Sequence, residues 1–558
     1  MRRASLKIWP VLFAVAYLVI AVQLFSIQVL ERHRYQPMAE KQATRKITLP
    51  PERGVIYDRN FNVLAFDLKQ YSFGAVPSEL SNKRRLAQIF ARLTSNSVDY
   101  YLDLLRGDRY VWLARRVDQR TAEQIPYQEF KALSRVEKTG RYYPYHRVGA
   151  HLIGFTNVDN VGLEGVEAQY DKILQGKPGY KVIHVDVHKK WVPALGDPER
   201  EPEEGNSLVL TLDIDYQLIA QEELRKGVER YGARGGMLVM LDPSDGSVLA
   251  MASIPEFNPN HFMNYSPGER RNRVLVDPYE PGSTFKLVTA AAALQEGVLK
   301  PGDRIFCENG RMRVPGGYIT DHEPFGTLTF ADVFAHSSNI GFAKIAQMVG
   351  KRRIFEYARA FGFGEKTGID LPGESRGRLK NPAEWSASDA LRIPIGYGVL
   401  VTALQMANAY AAVANGGYLI RPHVVKAILQ HDLNRPISET RPDTIRRVLL
   451  PETVRMLKHF MRETVEKGTA KKAAVKGISV AGKTGTSKKF DPVQGRYSNT
   501  KYMATFVGFA PVEKPRFVCL VTLDEPKYPY YYGGSSAAPI FRNILRRIID
   551  SVSAPPSE

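Results

Sequence analysis

The first hydrophobic pattern in the chain is an unbroken apolar run at residues 8–30, which contains no charged residue. As a helix this run would be about 35 Å long, and the hydrocarbon core of a bilayer is about 30 Å thick. The run is longer than the core of a signal peptide, and no small-residue cleavage site follows it. We therefore predict one transmembrane helix at 8–30, preceded by a tail at 1–7.

Charges next to this helix predict its orientation. Arg2, Arg3 and Lys7 precede it, and positive residues favour the cytoplasmic side. The basic residues within 31–34 weaken this asymmetry. We expect the N-terminus in the cytoplasm and the chain after residue 30 on the outer side of the membrane.

Residues 36–205 alternate between strand-like and helical patterns. A helical pattern occurs at 82–93. Short strand-like runs occur at 45–50, 54–58, 71–76 and 180–187. The segment 192–206 is rich in Pro, Glu and Gly and is typical of a domain boundary. We predict an irregular α+β domain at 36–205.

Residues 206–550 show a different order of elements. A strand leads into an amphipathic helix over 207–231, and 235–255 has the pattern of a hairpin with Asp-Gly in its turn. A helix-rich stretch continues to about residue 470. Three strand-like runs then follow, at 477–486, 502–511 and 516–524, and a last helical pattern lies at 538–550. Two early and three late strands predict one sheet completed by both ends of the domain, and 551–558 should be a disordered tail.

Composition narrows the choice of partners. The 558 residues carry 77 Lys+Arg against 58 Asp+Glu, a net charge of +19 that suits nucleic acid, an anionic membrane or an acidic polymer. The charges are dispersed without a long basic tract, so we expect no nucleic-acid partner. Cys307 lies in a polar turn and Cys519 in a strand-like run, and we do not expect a disulfide between them.

The most informative window is 278–297, PYEPGSTFKLVTAAAALQEG. Pro281 and Gly282 break the chain before an alanine-rich run, which places Ser283 in the first turn of a buried helix and Lys286 one turn deeper on the same face. A serine hydroxyl needs a base to become nucleophilic, and a desolvated lysine can serve as that base. The same Ser-x-x-Lys spacing recurs at Ser498 and Lys501, in a segment that we interpret as a polar loop.

A second element lies at the head of another amphipathic helix. Ser337 and Asn339 form the only Ser-x-Asn of the chain, within AHSSNIGFAKIAQ. Alone, this pair would be interpreted as a helix cap.

Three Lys-Thr-Gly copies occur, at 138–140, 366–368 and 483–485. The first precedes the domain boundary, and the second lies among turn residues in a predicted surface loop. Only the third follows a β-like run, so it is the copy that we expect to bind substrate. Lys483, Thr484 and Thr486 would meet a carboxylate at a strand edge, and Gly485 would allow close approach.

The ordered set Ser283-x-x-Lys286, Ser337-x-Asn339 and Lys483-Thr484-Gly485 is shared by penicillin-binding proteins and class A β-lactamases. The surrounding sequences YEPGSTFK, GYGVLVTALQ, YYYGGSSAAPIF and, at 53–60, RGVIYDRN resemble a class B penicillin-binding protein of the septal, FtsI-like kind. The resemblance spans essentially the whole chain. Phe61 and Ala403 depart from the family's usual residues outside the catalytic motifs.

The resemblance implies a fold and an activity. It implies an elongated N-terminal pedestal domain at 36–205 and, at 206–550, a transpeptidase domain of the serine β-lactamase type, with a five-stranded antiparallel sheet flanked by helices. Ser283 would attack the carbonyl between two D-alanines of a peptidoglycan stem peptide, with Lys286 as base, Ser337 relaying protons and Asn339 positioning Lys286 and the substrate. An amine of a second stem peptide would take the acyl group, and β-lactams would trap Ser283.

The resemblance also implies a cellular location and partner proteins. The location is the bacterial cytoplasmic membrane, and the partners are a SEDS-type glycosyltransferase and other membrane proteins of the division complex. No cofactor is implied. His184 and His188 share one face of a predicted strand, but solvated or structural histidines are the more common case, so we expect no metal site.

Other functions remain open at this stage. A side-wall transpeptidase or a D,D-carboxypeptidase would use the same motifs, and so would a membrane-anchored β-lactam sensor or scaffold. A β-lactamase is disfavoured because no Glu-x-x-Leu-Asn occurs, and a bifunctional class A enzyme is disfavoured because no Glu-Asp pair occurs.

Overall fold

The computed structural model describes residues 8–94, 96–185, 191–192, 199–315, 317–431 and 435–553. Contacts divide the chain into two compact units. One unit consists of Met1–Glu52 and Gln175–Gly205, and the other of Arg53–Leu174 and Asn206–Glu558.

The first unit begins with the apolar run. Residues Ile8–Phe25 are α-helical and Ser26–Leu30 continue as a π-helical turn. Trp9–Leu30, with a mean hydropathy of 2.3, is long and apolar enough to cross a membrane. By length and composition it is the one candidate span among the described residues.

The rest of the first unit is a helix and a small sheet. Helix Arg32–Ala43 leads into strand Thr44–Leu49, which pairs antiparallel with Gly179–Val185. Short strands Trp191–Val192 and Glu199–Arg200 also pair with Gly179–Val185. His184 lies in this strand, whereas His188 is outside the described residues.

The second unit contains a seven-stranded mixed sheet that joins distant parts of the sequence. Strand Ser207–Leu210 pairs parallel with Ile56–Tyr57 on one side and antiparallel with Val425–Leu429 on the other. The remaining strands are Val63–Ala75, Val111–Val117, Leu133–Tyr142 and Pro436–Glu439. Helices Lys83–Leu93 and Val98–Leu104 share a separate apolar cluster with this sheet.

A buried charge network lies in the same unit. The Glu167 carboxylate accepts hydrogen bonds from Arg53 Nε at 2.8 Å and from Arg141 Nε at 2.6 Å, and all three side chains are almost fully buried. Arg53 also pairs with Asp171 at 2.7 Å, and Arg141 with Asp67 at 3.3 Å. Burial opposes ionisation of Glu167, but the two guanidinium groups hold its pKa below the usual value. The acid therefore stays charged.

The five-stranded antiparallel sheet predicted from the sequence is present. Its strands are β1 Gly235–Leu241, β2 Val248–Ile254, β3 Ala481–Asp491, β4 Arg496–Ala510 and β5 Phe517–Asp524. Their order is β2-β1-β5-β4-β3, so the two ends of the domain close one sheet and β3 forms an edge. Helices Ile214–Arg230 and Ala537–Ser553 pack on one face around a buried cluster.

The other face carries the larger core and the helices that hold the site. Helix α1, Lys286–Gln295, and helix α2, Asn339–Val349, are central to it. The neighbouring helices are Phe330–Ala335, Lys351–Ala360, Ala403–Ala414 and Pro451–Glu466. Helix α1 is buried from Lys286 to Leu294, which agrees with its alanine-rich sequence.

Three details differ from the sequence-based expectations. Ser498 and Lys501 lie in strand β4 and not in a loop, because the β3–β4 hairpin extends to residues 491 and 496. The helix-rich stretch also contains short strand pairs, among them Arg311–Val314 with Gly317–Thr320. Thr367 of the second Lys-Thr-Gly copy is buried and bonded to Glu374, so that loop is not simply a surface loop.

The Glu167 network predicts a large stability effect. Replacing Glu167 with Gln leaves two buried guanidinium groups without their shared anion, and breaking such a buried pair costs about 3–5 kcal/mol. We expect the E167Q variant to lose this much free energy of unfolding in denaturant titration of the detergent-solubilised chain. The matched control is E137Q, which removes the exposed pair with Lys69 and should cost at most about 1 kcal/mol. Equal stability of the two variants would contradict the assignment.

Candidate active site

Ser283 lies in a single helical turn, Gly282–Phe285, directly before α1. Gly282 has a φ of 54°, and a Cβ there would lie 3.0 Å from the Thr486 carbonyl oxygen of β3. A Cβ on Gly485 would in turn lie 2.8 Å from the Pro281 carbonyl oxygen. These two glycines let the serine turn rest directly on strand β3. The chain that closely approaches Gly485 is therefore the serine turn, whereas the sequence predicts the substrate there.

Lys286 is fully buried one turn deeper than Ser283. Its Nζ donates hydrogen bonds to the Ser337 carbonyl oxygen at 2.6 Å, to Ser337 Oγ at 3.2 Å and to Asn339 Oδ1 at 2.8 Å. Ser337 and Asn339 lie 51 and 53 residues after Lys286 in the sequence. The Ser-x-x-Lys and Ser-x-Asn motifs therefore meet at the Lys286 amine.

Ser337 occupies an unusual backbone conformation. Its φ is 61°, in the left-handed region that a serine rarely adopts. This conformation turns the chain between helix Phe330–Ala335 and helix α2, and the Ser337 carbonyl accepts its bond from Lys286 there.

Lys483 of the third Lys-Thr-Gly copy joins the same serine. It is fully buried, and its Nζ donates to Ser337 Oγ at 2.8 Å and to the Thr484 carbonyl oxygen at 3.3 Å. Two lysines from different elements thus converge on the hydroxyl of Ser337. The copy at 138–140 lies in strand Leu133–Tyr142, and the copy at 366–368 lies in a loop. Neither is among the residues that line the cavity in front of Ser283.

Burial changes the acidity of both lysines. Loss of solvation lowers the pKa of Lys286 to about 7, and the nearby Asp321 carboxylate opposes this decrease. Loss of solvation also lowers the pKa of Lys483 well below its usual value, and the neighbouring Lys286 lowers it further. An amine with a pKa near 7 can act as a base at neutral pH.

An open cavity of about 710 Å³ gives access to this cluster. Ser283, Ser337, Asn339, Thr484 and Thr486 all line it, whereas Lys286 and Lys483 lie behind the wall. All the residues predicted as site residues are therefore brought together, with hydroxyl and amide groups at the surface and the amines inside. The cavity can hold an extended peptide against β3.

Asp321 is a site residue that sequence reasoning missed. Its carboxylate accepts hydrogen bonds from Ser338 Oγ at 2.6 Å, from the Asn339 backbone N–H at 2.5 Å and from the Ile340 backbone N–H at 3.1 Å. It therefore caps helix α2 from a separate loop and holds the strained turn at Ser337. No local pattern marks it, because its partners lie 17 to 19 residues away.

Threonine and aromatic residues complete the cavity and were also missed. Thr469 shares a hydrogen bond of 2.7 Å with the Thr484 hydroxyl, and the Gly533 N–H donates to Thr486 Oγ1 at 3.1 Å. Tyr502 and Tyr531 stack with ring centroids 4.6 Å apart at the rim.

The described residues contain no group of three or more His, Cys, Asp or Glu that could hold a metal ion. Cys307 and Cys519 are both buried and free.

Comparison with known families agrees with this geometry. The family described as penicillin binding protein transpeptidase domain matches residues 236–546, and the penicillin-binding protein dimerisation domain matches residues 48–210.

Full-length relatives agree as well. The chain is 31% identical to stage V sporulation protein D of Bacillus subtilis, with 97% of this chain and 85% of the relative aligned. It is 32% identical to peptidoglycan D,D-transpeptidase FtsI of Escherichia coli K12, with 99% and 92% aligned.

Solved structures have the same fold. The crystal structure of penicillin binding protein 3 from Mycobacterium tuberculosis in complex with aztreonam superimposes with a TM-score of 0.71 at 28% identity, covering 92% of this chain and 98% of that one. Family, relatives and fold thus coincide over both domains, and the chain belongs to the class B penicillin-binding proteins, in which a dimerisation domain precedes a transpeptidase domain.

Proposed function

We propose that this chain cross-links peptidoglycan stem peptides through an acyl-enzyme at Ser283. The observation that carries the proposal is the convergence of Lys286 and Lys483 on Ser337, with Asn339 bonded to Lys286, beside a cavity lined by Ser283. This arrangement supplies a nucleophile, a base with a pKa of about 7 and a carboxylate site within one cleft.

In the first half-reaction, Ser283 Oγ attacks the carbonyl carbon between the last two D-alanines. Lys286 in its neutral form takes the serine proton, and the proton passes to the departing amine by way of Ser337. The bond between that carbon and the D-alanine nitrogen breaks, so that D-alanine leaves and an ester to Ser283 remains. The backbone N–H groups of Ser283 and Thr486 would stabilise the oxyanion, and one such donor is worth about 10²–10³ in rate.

The second half-reaction reverses the roles of these groups. The amine of a neighbouring stem peptide attacks the ester carbon and loses a proton to Lys286. The ester bond breaks, and Ser283 regains its proton. Water in place of the amine would give a D,D-carboxypeptidase, which uses the same residues.

The terminal carboxylate of the donor would bind at Thr484 and Thr486, whose side chains line the cavity. Lys483 acts from behind them, because its Nζ is buried against Ser337. A bound carboxylate stabilises the charged form of Lys483, and a charged Lys483 disfavours a second charge on Lys286. Substrate binding would therefore help to create the neutral base that acylation needs.

β-Lactams fit the same proposal, since they mimic the D-Ala-D-Ala end and would leave a stable ester on Ser283. In support, penicillin binding protein 3 of Mycobacterium tuberculosis, which shares the fold, has been solved in complex with aztreonam and with ampicillin.

The cellular role that we propose is septal cell-wall synthesis at the bacterial cytoplasmic membrane. The alignment with FtsI over 99% of the chain supports it, and Trp9–Leu30 would be the single anchor, with the N-terminus in the cytoplasm. Residues 36–205 would form the pedestal that docks a SEDS-type glycosyltransferase, and residues 206–550 the transpeptidase domain. Failure of the two membrane proteins to co-purify from mild detergent would argue against that partner.

Labelling with a fluorescent penicillin tests the nucleophile. We expect wild type and the Ser498→Ala control to become labelled and to keep the label during a chase with unlabelled penicillin. Ser283→Ala should lose the label completely, because the other hydroxyl of this turn, that of Thr284, is buried and donates to the Pro281 carbonyl oxygen at 2.8 Å. Labelling of Ser283→Ala would refute the assignment. Loss of label from wild type within seconds would indicate a hydrolase.

The pH dependence of acylation tests the base. Because Lys286 has a pKa of about 7 and must be neutral to accept a proton, the labelling rate should rise with pH through about 7 and then level off. Asp321→Asn removes the charge that raises this pKa, so its profile should move to lower pH. It should also cost about 0.3–1 kcal/mol of stability, because Asn keeps the capping oxygen but lacks the negative charge at the helix N-terminus.

Two controls separate this effect from others. Asp332→Asn removes an acid from the first turn of the neighbouring helix, and His322→Gln removes the histidine that lines the cavity. Neither should move the midpoint of the rate profile. A shift with His322→Gln and none with Asp321→Asn would assign the titration to the histidine.

Depletion of the chain from its host tests the cellular role. We expect filamentous cells because division would stop while elongation continues. Rounded cells would instead assign the enzyme to side-wall synthesis. Unchanged growth of vegetative cells would indicate that the enzyme acts only at a specialised septum, such as the one formed during sporulation. Ser283→Ala expressed during depletion is the control, and rescue by it would favour a scaffold over an enzyme.

A further inference from the structure

A second cavity of about 690 Å³ lies beside the end of strand β3. Glu280, three residues before the nucleophile, lines it together with Arg378 and Tyr497. Lys488 lines both this cavity and the active-site cavity. We call this second cavity the Glu280 cavity. It is nearly as large as the active-site cavity, and the two cavities adjoin at Lys488.

Most charged groups in the wall of the Glu280 cavity neutralise one another. The ion pairs join Lys489 with Asp524 at 2.6 Å, Arg273 with Asp277 at 3.0 Å, and Lys380 with Asp389 at 3.3 Å. These pairs form a polar but satisfied lining.

Glu280, Arg378 and Lys488 are the exceptions. Glu280 Oε1 accepts hydrogen bonds from the Gly398 N–H at 2.7 Å and from the Tyr497 hydroxyl at 2.9 Å. Its other oxygen, Oε2, is buried and has no hydrogen-bond partner within the described part of the chain. Arg378 is exposed and forms no ion pair with any described residue, although its charge opposes the increase in the pKa of Glu280 that burial causes. Lys488 also forms no ion pair among the described residues, and its Nζ donates to Asn499 Oδ1 at 3.0 Å. The cavity thus holds one acid with an unsatisfied oxygen and two cations without an ion pair, and an unpaired buried polar atom is unfavourable until a donor reaches it.

The expected path of the donor peptide passes this cavity. Strand β3 is the edge of its sheet, and an extended peptide can pair with a free edge. If the peptide carboxylate lies at Thr484 and pairing is antiparallel, the peptide runs towards Lys488 as it goes back to its N-terminus. At about 3.4 Å per residue, the residue before the two D-alanines lies between Thr486 and Lys488. Its side chain then lies at the mouth of the Glu280 cavity.

We propose that the Glu280 cavity is the subsite for the side chain of the third stem-peptide residue, and that it selects a side chain ending in both an amine and a carboxylate. The amine would donate to Glu280, and the carboxylate would bind Arg378 and Lys488. A diamino dicarboxylic acid satisfies both groups, lysine satisfies only Glu280, and an aliphatic side chain satisfies neither. This inference rests on the proposed D,D-transpeptidase function.

Three donor peptides that differ only at the third residue test the subsite. They end in D-Ala-D-Ala and carry diaminopimelate, lysine or norleucine, and the full-length chain in detergent is assayed for D-alanine release in the presence of an amine acceptor. We expect kcat/KM to fall from diaminopimelate to lysine to norleucine, by about tenfold or more at each step, as charge-assisted hydrogen bonds are lost.

Two variants assign the discrimination to its residues. Arg378→Gln should reduce the preference for diaminopimelate over lysine, with Lys488 retaining part of it, and Glu280→Gln should reduce the preference for lysine over norleucine to about one. Because each readout is a ratio between two peptides on one variant, a general loss of activity does not affect it. Arg234→Gln is the matched control. Arg234 lines the same cavity but pairs with Glu525, so its loss should leave both ratios unchanged.

The outcomes separate this inference from the proposed function. Equal kcat/KM for the three peptides, or an unchanged diaminopimelate preference in Arg378→Gln, overturns the subsite while penicillin labelling of wild type still supports the transpeptidase. Absence of penicillin labelling in wild type removes the proposed function instead.

Discussion

Burial of two lysine amines at one serine is the constraint on which the catalytic domain depends. Lys286 and Lys483 are both fully buried, and each donates to Ser337 Oγ. A buried ammonium group costs several kcal/mol unless it is paired, and here most partners are neutral oxygens. The Asp321 carboxylate, and to a smaller extent the Cys307 thiol, raise the pKa of Lys286. Two charges so close are unfavourable, so the fold keeps one amine ready to lose its proton.

Holding that arrangement requires strain and close packing around it. Ser337 is in the left-handed region, and Asp321 fixes the residues that follow it. Gly282 and Gly485 remove the side chains that would separate the serine turn from β3. Aromatic rings close the inner side, with Lys286 Nζ 5.4 Å from the centre of Phe342. The rigid sheet edge and the two helices therefore fix the amines more firmly than a loop could.

The sequence predicted the parts of this site that belong to local patterns. A polar pair at the head of a buried helix marked Ser283 and Lys286, and a β-like run selected the third Lys-Thr-Gly copy over the other two. The five-stranded sheet agrees with the hairpin predicted at 235–255 and with the three strand-like runs predicted after residue 470. The family resemblance then supplied the roles of the residues.

The missed features depend on contacts between distant segments. Asp321 and Thr469 act through partners 15 or more residues away, and Glu280 matters because of a cavity that no sequence pattern outlines. Ser498 was expected in a loop because its neighbours are polar. An exposed hairpin extension is also polar on both faces, so composition does not distinguish the two.

The proposed mechanism depends on a division between the surface of the cavity and the interior behind it. The cavity presents hydroxyls and an amide, and the amines lie behind them. On the proposed mechanism, a carboxylate at Thr484 would favour the charged form of Lys483, whose pKa is low because the amine is desolvated and lies beside Lys286. Binding of the substrate end and activation of Ser283 would then be coupled electrostatically through the two amines that meet at Ser337 Oγ.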